Sequence, residues 1–271
     1  MYLILFRKLD ASYTEEFDAL VNSVWYEQEV VYQYRDFLPV NCTVIGRYSV
    51  LPYYDELQGV LSSKGSSLIN DSDGHKYVAD ISNWYMDLKE STPRTWFQGQ
   101  WGNLPDNCSF VVKGLINSRK HEWNRRMFAA TRTDVQLVVS SLLDDCLLKE
   151  QGLCVRQYVP LKTFDIGING LPITNEWRYF FIGNKLVAGG YYWANFPDIK
   201  PEESEEAIAL AKKVATIVAQ KSNFFVVDVA QTETGEWILI ELNDAQMSGL
   251  CTINPKAFYE NLYNCITYLL V

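Results

Sequence analysis

The chain has 271 residues, 48% hydrophobic and 21% charged, which is enough to bury a sizeable core and too apolar for a disordered chain. A formal net charge of −9 excludes the generally basic surface that non-specific nucleic-acid binding needs, so no nucleic-acid partner is expected. Six cysteines without a CxxC pair and only two histidines exclude zinc-finger spacing, and the thiols are expected to be reduced and mostly buried.

The N-terminal apolar run is interrupted at once by Arg7, Lys8 and Asp10. It is too short for a signal-peptide core or a membrane span, so a soluble cytoplasmic protein without a membrane partner is expected. Residues 2–6 read as a buried strand, Thr14 to about Val31 as a helix, 42–47 as a strand, Pro52 to Lys64 as a helix and 67–69 as a strand. This β-α-β-α-β rhythm predicts a small parallel α/β domain. A helix over 81–89 ends before Thr92-Pro93, because proline disfavours helix in the residue before it. A boundary is placed near residue 100, in QGQWGNLPDN, dividing the chain into 1–100 and 101–271.

The second part opens with a strand over 109–114, followed by a polar loop, a helix over 133–148 and a strand over 154–161. Three β-rich stretches, TFDIGI, ITNEWRYFFI and KLVAGGYYW, predict an antiparallel sheet. Ala207, Leu210, Ala211, Val214 and Val218 recur at helical spacing within 202–220. Two strands follow, NFFVVDVAQ and EWILIELND, then a helix from Pro255 to about Leu269. The fold class is therefore mixed: an α/β domain followed by an α+β domain with antiparallel sheets.

The acidic hairpin FFVVDVAQTETGEWILIELND carries the strongest chemical signal. With Thr234-Gly235 as a two-residue loop, Asp228 faces Glu241, with Cβ atoms roughly 5 Å apart. Asn243 lies on the same strand face as Glu241. Like charges opposite each other destabilise a sheet, and the flanking residues are apolar, so a divalent cation held by oxygen ligands resolves the conflict. Acids that face solvent or pair with Arg or Lys are the bland alternative. On facing carboxylates alone, Glu241→Gln would relieve repulsion and raise stability without metal.

Asp228, Gly235 and Glu241-Leu242-Asn243 resemble the Asp strand, Gly turn and Glu-x-Asn strand of ATP-grasp enzymes such as D-alanine–D-alanine ligases. The arrangement looks closest to an ATP-grasp branch found in bacteria and phages. The resemblance covers roughly residues 105–250. It implies a pre-grasp α/β domain over 1–100 and a two-lobed ATP-grasp domain, with lobes about 101–160 and 161–271. It also implies that Asp228, Glu241 and Asn243 hold Mg²⁺ between the phosphates of ATP.

Lys113 closes the apolar strand 110–114, where a lysine either reaches into solvent or meets a ligand. By resemblance it contacts ATP phosphates, and the loop Leu115 to His121 covers them, with Ser118, Arg119 and Lys120 available to phosphate oxygens. That loop lacks the glycine-rich composition common in the family. The strand Val155 to Val159 resembles the inter-lobe hinge, where backbone groups of Gln157, Tyr158 and Val159 would read adenine. Gln157 stands where an acid is frequent, so Asp165 is the candidate ribose partner. Arg178, in Glu176-Trp177-Arg178, offers a planar fork of donors to phosphate or acyl phosphate; a structural salt bridge with Glu176 or another acid is the alternative. Arg47 follows an apolar strand, at the kind of strand edge where open α/β sheets bind ligands, and is a candidate substrate contact.

The implied activity is Mg-ATP-dependent ligation. A small-molecule or peptide carboxylate becomes an acyl phosphate, with release of ADP, and an amine or thiol then displaces phosphate. Lys113 and Arg178 would offset developing negative charge. A kinase on the same scaffold, or an ATP-binding regulatory protein without turnover, are the rival readings.

Overall fold

The computed structural model describes residues 1–7, 13–35, 38, 40–50 and 53–267. The run Leu3–Phe6 is apolar throughout, as in strands buried on both faces, and forms β1 (Tyr2–Phe6) inside a parallel sheet. Helices α1 (Thr14–Val21) and α2 (Val24–Glu27) lead to β2 (Val31–Tyr32). β3 (Thr43–Arg47), α3 (Tyr54–Ser63) and β4 (Ser67–Leu68) complete a sheet of order β2-β1-β3-β4. The single helix expected over 14–31 is broken because the Ser23 hydroxyl accepts from the Trp25 amide and starts a new helix. The expected helix ends at Pro52 and Leu269 lie outside the described residues.

Two capped helices follow, α4 (Ser72–Ala79) and α5 (Ile81–Leu88), of which the sequence pattern predicts only the second. Then β5 (Thr95–Phe97), β6 (Phe110–Gly114), β7 (Phe128–Ala129), α6 (Arg132–Leu143), α7 (Cys146–Gln151) and β8 (Leu153–Gln157) build an antiparallel sheet of order β5-β8-β6-β7. The helix expected over 133–148 is split where the Asp145 carboxylate accepts from the Leu147 and Leu148 amides. β5 lies upstream of residue 100, yet pairs with β8.

The ribbon β9 (Thr163–Ile166) and β10 (Pro172–Thr174) precedes β11 (Glu176–Ile182), β12 (Lys185–Tyr191), α8 (Glu205–Val218), β13 (Phe224–Gln231) and β14 (Trp237–Asp244). The last sheet is antiparallel with order β12-β11-β13-β14. Its two faces are used differently. Tyr179, Phe181, Phe225 and Val227 pack on the periodic apolar face of α8 and on Trp84 and Leu88. Phe180, Ile182, Phe224 and Val226 pack instead on α9 (Pro255–Thr267) and on Ile4, Phe6 and Ile45 of the parallel sheet. The first and last sheets thus share one core. Residues 96–155 enclose another, around Phe110, Val112, Leu142 and Val155. Among the described residues no helix is long and apolar enough to cross a membrane.

Candidate active site

Strand alternation creates the site. On β11, Phe180 and Ile182 are covered by α9, while Glu176 and Arg178 continue the same face as polar residues. On β13 the same face runs Phe224, Val226, Asp228. Register places Arg178 opposite Asp228 and Asp228 opposite Glu241, so one row across three strands carries three charges.

The hairpin reaches this pairing by an unexpected route. Its loop has three residues, Glu233, Thr234 and Gly235, closed by a 2.8 Å bond from the Thr232 amide to the Glu236 carbonyl. Gly235 has φ of 96°, which glycine adopts without strain. The longer loop shifts the register by one, so Val229 opposes Leu239, and a bulge at Ile240 then shifts it back. The bulge also turns Ile240 and Glu241, successive residues, toward the same cleft.

Both carboxylates have cationic partners. Asp228 is fully buried and accepts from Arg178 in bidentate fashion, Nε to Oδ1 at 2.8 Å and Nη2 to Oδ2 at 2.7 Å. Glu241 forms a direct ion pair with Lys113, which reaches it from β6. Burial pushes the Glu241 carboxyl up, but Lys113 and Lys120 outweigh that and hold it down at about 2. Arg178 is destabilised by burial yet raised well above its ordinary range by Asp228. These partners reverse the expectation for Glu241→Gln. The variant leaves Lys113 without its counter-ion, so without metal it should be less stable than the parent by about 1–3 kcal/mol in a urea titration. A gain in stability would show that repulsion between the carboxylates dominates.

Glu241, Lys113, Ser118 and Lys120 line a mostly apolar cleft of about 830 Å³ between the two antiparallel sheets. Gln157, Tyr158 and Val159 line its far end together with Met127, Ile238 and Ile240. The Gln157 and Tyr158 amides are already used, donating to the Arg94 and Ser109 carbonyls, each at 2.8 Å. Lys120 donates to the Tyr192 hydroxyl at 3.0 Å and lies 3.6 Å from Glu176 Oε1. Arg119 is engaged by Asp145 instead. The segment after Lys113 is not a glycine-rich loop; Lys120–Glu122 and Trp123–Met127 form short helical turns.

Two expected residues do not join this group. Arg47 is fully buried and its guanidinium is committed to Glu16 at 2.8 Å, the Tyr48 hydroxyl at 2.8 Å, and the Ala245 and Ser248 carbonyls. It is a strut between β3 and the segment after β14, which corrects its assignment as a substrate contact. Asp165 sits on the exposed β9 strand, accepts from its neighbour's amide at 2.7 Å, and is not among the cleft-lining residues.

Sequence reasoning treats Glu176 only as a salt-bridge partner. It is buried, lines the cleft, and has one carboxylate oxygen, Oε1, without a hydrogen-bond donor among the described residues. Burial raises its carboxyl pKa despite the nearby Lys120. Its position two residues before Arg178 on one strand face is the signal that could have found it. Asn243 lies opposite Val226, partly buried, and its side-chain amide has no hydrogen-bond partner among the described residues. Among the described residues there is no cluster of three or more His, Cys, Asp or Glu arranged for a metal; the candidate donors are two carboxylates and an amide.

An apolar cleft between two antiparallel sheets, with a Lys on one wall and Asp and Glu-x-Asn on the other, defines the ATP-grasp class. The chain belongs to an ATP-grasp domain family, the third of its clade, whose model matches residues 100–262. No curated protein sequence matches. Among solved structures, the fold resembles D-cycloserine synthetase DcsG, with TM-score 0.62 and 11% identity over 98% of this chain and 99% of that one. A RimK domain protein ATP-grasp from Sphaerobacter thermophilus gives 0.60 and 12%, covering 98% and 99%. D-alanine–D-alanine ligase from Bacillus anthracis, solved with ATP, gives 0.60 and 9%, covering 99% and 96%.

Proposed function

We propose that the chain is a Mg-ATP-dependent ligase that activates a carboxylate as an acyl phosphate for attack by an amine. The observation that carries this reading is the row Arg178, Asp228, Glu241 meeting Lys113 at one end of an apolar cleft. D-Cycloserine synthetase and D-alanine–D-alanine ligase share the fold, as does the ligase PsnB, solved with a precursor peptide. They support a small-molecule or peptide substrate.

In this reading adenine occupies the end of the cleft at Gln157 to Val159. With the Gln157 and Tyr158 amides committed, the Val159 amide is left to read the base. Glu176 replaces Asp165 as the ribose partner, because a buried carboxylate oxygen without a donor suits a sugar hydroxyl. Lys113, Lys120 and Arg178 face the phosphates. Asp228, Glu241 and Asn243 supply the oxygen donors that Mg²⁺ prefers, and the bound ion would neutralise phosphate charge. The substrate carboxylate attacks the γ-phosphorus and ADP leaves; an amine then attacks the acyl carbon and phosphate leaves. Lys113 and Arg178 orient the transferring group and balance its charge, a positioning task that needs no side-chain nucleophile.

Mg-ATP, hydroxylamine and pools of small carboxylic acids test this directly. The expected products are ADP and, with the right acid, a hydroxamate, since hydroxylamine replaces the unknown amine. AMP and pyrophosphate would overturn the acyl-phosphate mechanism. ADP with a stable phosphorylated product and no hydroxamate would move the protein to the kinase class.

A further inference from the structure

Arg156 is a buried cation that no salt bridge accounts for. It lies on β8, at 6% exposure, and among the described residues no carboxylate is within ion-pair distance. Burial alone pushes it below the usual guanidinium range. A charge kept in such a place is costly, and structural stabilisation is a poor explanation for it.

Its hydrogen bonds point elsewhere. Nη1 donates to the Ile240 carbonyl at 2.7 Å, and Nη2 donates to the Thr92 hydroxyl at 2.6 Å. Thr92 passes its own proton to the Leu239 carbonyl at 2.8 Å, and the Leu239 amide donates to Ser91 at 2.7 Å. These bonds converge on the β14 bulge. A bulge leaves its extra residue outside the regular ladder, so Ile240 needs a partner from elsewhere. Without the bulge, strand alternation would send Ile240 and Glu241 to opposite faces.

We propose that Arg156 is a positioning residue that locks the Ile240 bulge and thereby aims Glu241 at the metal. It reaches from the sheet on one wall of the cleft to the strand on the other, so it also sets Glu241 against Lys113 of its own sheet. The proposal rests on the reading of Glu241 as a metal ligand. Groups that hold a metal's ligands in place commonly govern metal affinity by about 10–100-fold.

The test uses the full chain with a non-hydrolysable ATP analogue and Mn²⁺, whose binding is followed by electron paramagnetic resonance. Glu241→Gln is the control for the metal reading. If it binds Mn²⁺ as the parent does, that reading fails, and the Arg156 proposal fails with it. Where the control loses Mn²⁺, Arg156→Met should weaken Mn²⁺ binding by about tenfold or more. Its affinity for the metal-free nucleotide should change by less than about threefold, because Arg156 acts through the bulge. Arg156→Lys, which keeps a donor for Ile240, should recover much of the loss. Thr92→Val provides a second route that keeps the arginine charge, and should weaken Mn²⁺ binding in the same direction. Parent-like Mn²⁺ affinity in a folded Arg156→Met protein would overturn the proposal, as would equal losses in the Met and Lys variants. If Arg156→Met does not fold, parent-like Mn²⁺ affinity in Thr92→Val overturns it.

Discussion

Asp228→Ala is expected to lower stability by about 3–5 kcal/mol and to abolish the magnesium dependence of nucleotide binding. Asp228 is fully buried and bonded to Arg178 through both oxygens. Its removal leaves the guanidinium with the Gly249 carbonyl as its remaining protein acceptor, at 3.2 Å. An uncompensated buried charge is far worse than no charge at all, so the double variant Asp228→Leu/Arg178→Met should recover most of the lost stability. It should not recover binding. Urea unfolding measures the first effect, and calorimetry of ATP with Mg²⁺ or with chelator measures the second. Stability unchanged in Asp228→Ala would mean that the pair contributes nothing to the fold. Equal ATP affinity with and without Mg²⁺ in the parent protein would remove the metal from the mechanism.

Lys113→Ala should reduce ADP formation by about 10²–10³-fold, the scale of losing one preorganised charge contact to a transition state. It should also change how the protein responds to acid. The Glu241 carboxyl is held at about 2 against an ordinary 4.5, burial opposing the shift and Lys113 and Lys120 driving it. A depressed carboxyl contributes stability above its unfolded pKa, and that contribution disappears as pH falls from about 4.5 toward 2. Without Lys113 the folded pKa rises toward the unfolded one, so less stability remains to be lost in that window. Melting temperatures measured from pH 7 down to 2 should therefore fall less steeply over the acid limb in Lys113→Ala. Identical acid slopes in the two proteins would mean that the Lys113–Glu241 pair does not form in solution.

The sequence exposes the elements whose chemistry is local. The apolar run Leu3–Phe6, the periodic face of the 205–218 helix and the alternation around Asp228 each announce their own burial. The elements it hides depend on partners far along the chain. β2 and β5 are two and three residues long and exist because β1 and β8 offer them an edge. The site divides in the same way. Residue type and spacing single out Lys113, Arg178, Asp228, Glu241 and Asn243. Spacing cannot show that the two carboxylates are already neutralised, because Lys113 arrives from another sheet. Arg47 misleads because a strand edge suggests exposure, whereas the segment after β14 and Glu16 close over it. The facing of Asp228 and Glu241 follows, on paper, from a two-residue loop that is not there; a longer loop and a bulge cancel in register.

The division of cores has a mechanical consequence. The parallel sheet and the β11–β14 sheet are joined by shared packing and by the Arg47 strut, and the Gln246 side chain accepts from the Gly46 amide at 2.8 Å. They cannot separate without tearing one interior. The sheet of β5 to β8 has an interior of its own and meets the opposite wall through polar ties, chiefly Arg156 with Ile240 and Lys113 with Glu241. Such ties break and re-form at little cost compared with a packed core. Entry of a nucleotide therefore swings residues 95–157 as a jaw against a fixed anvil, and the charged residues of the site double as its clasp.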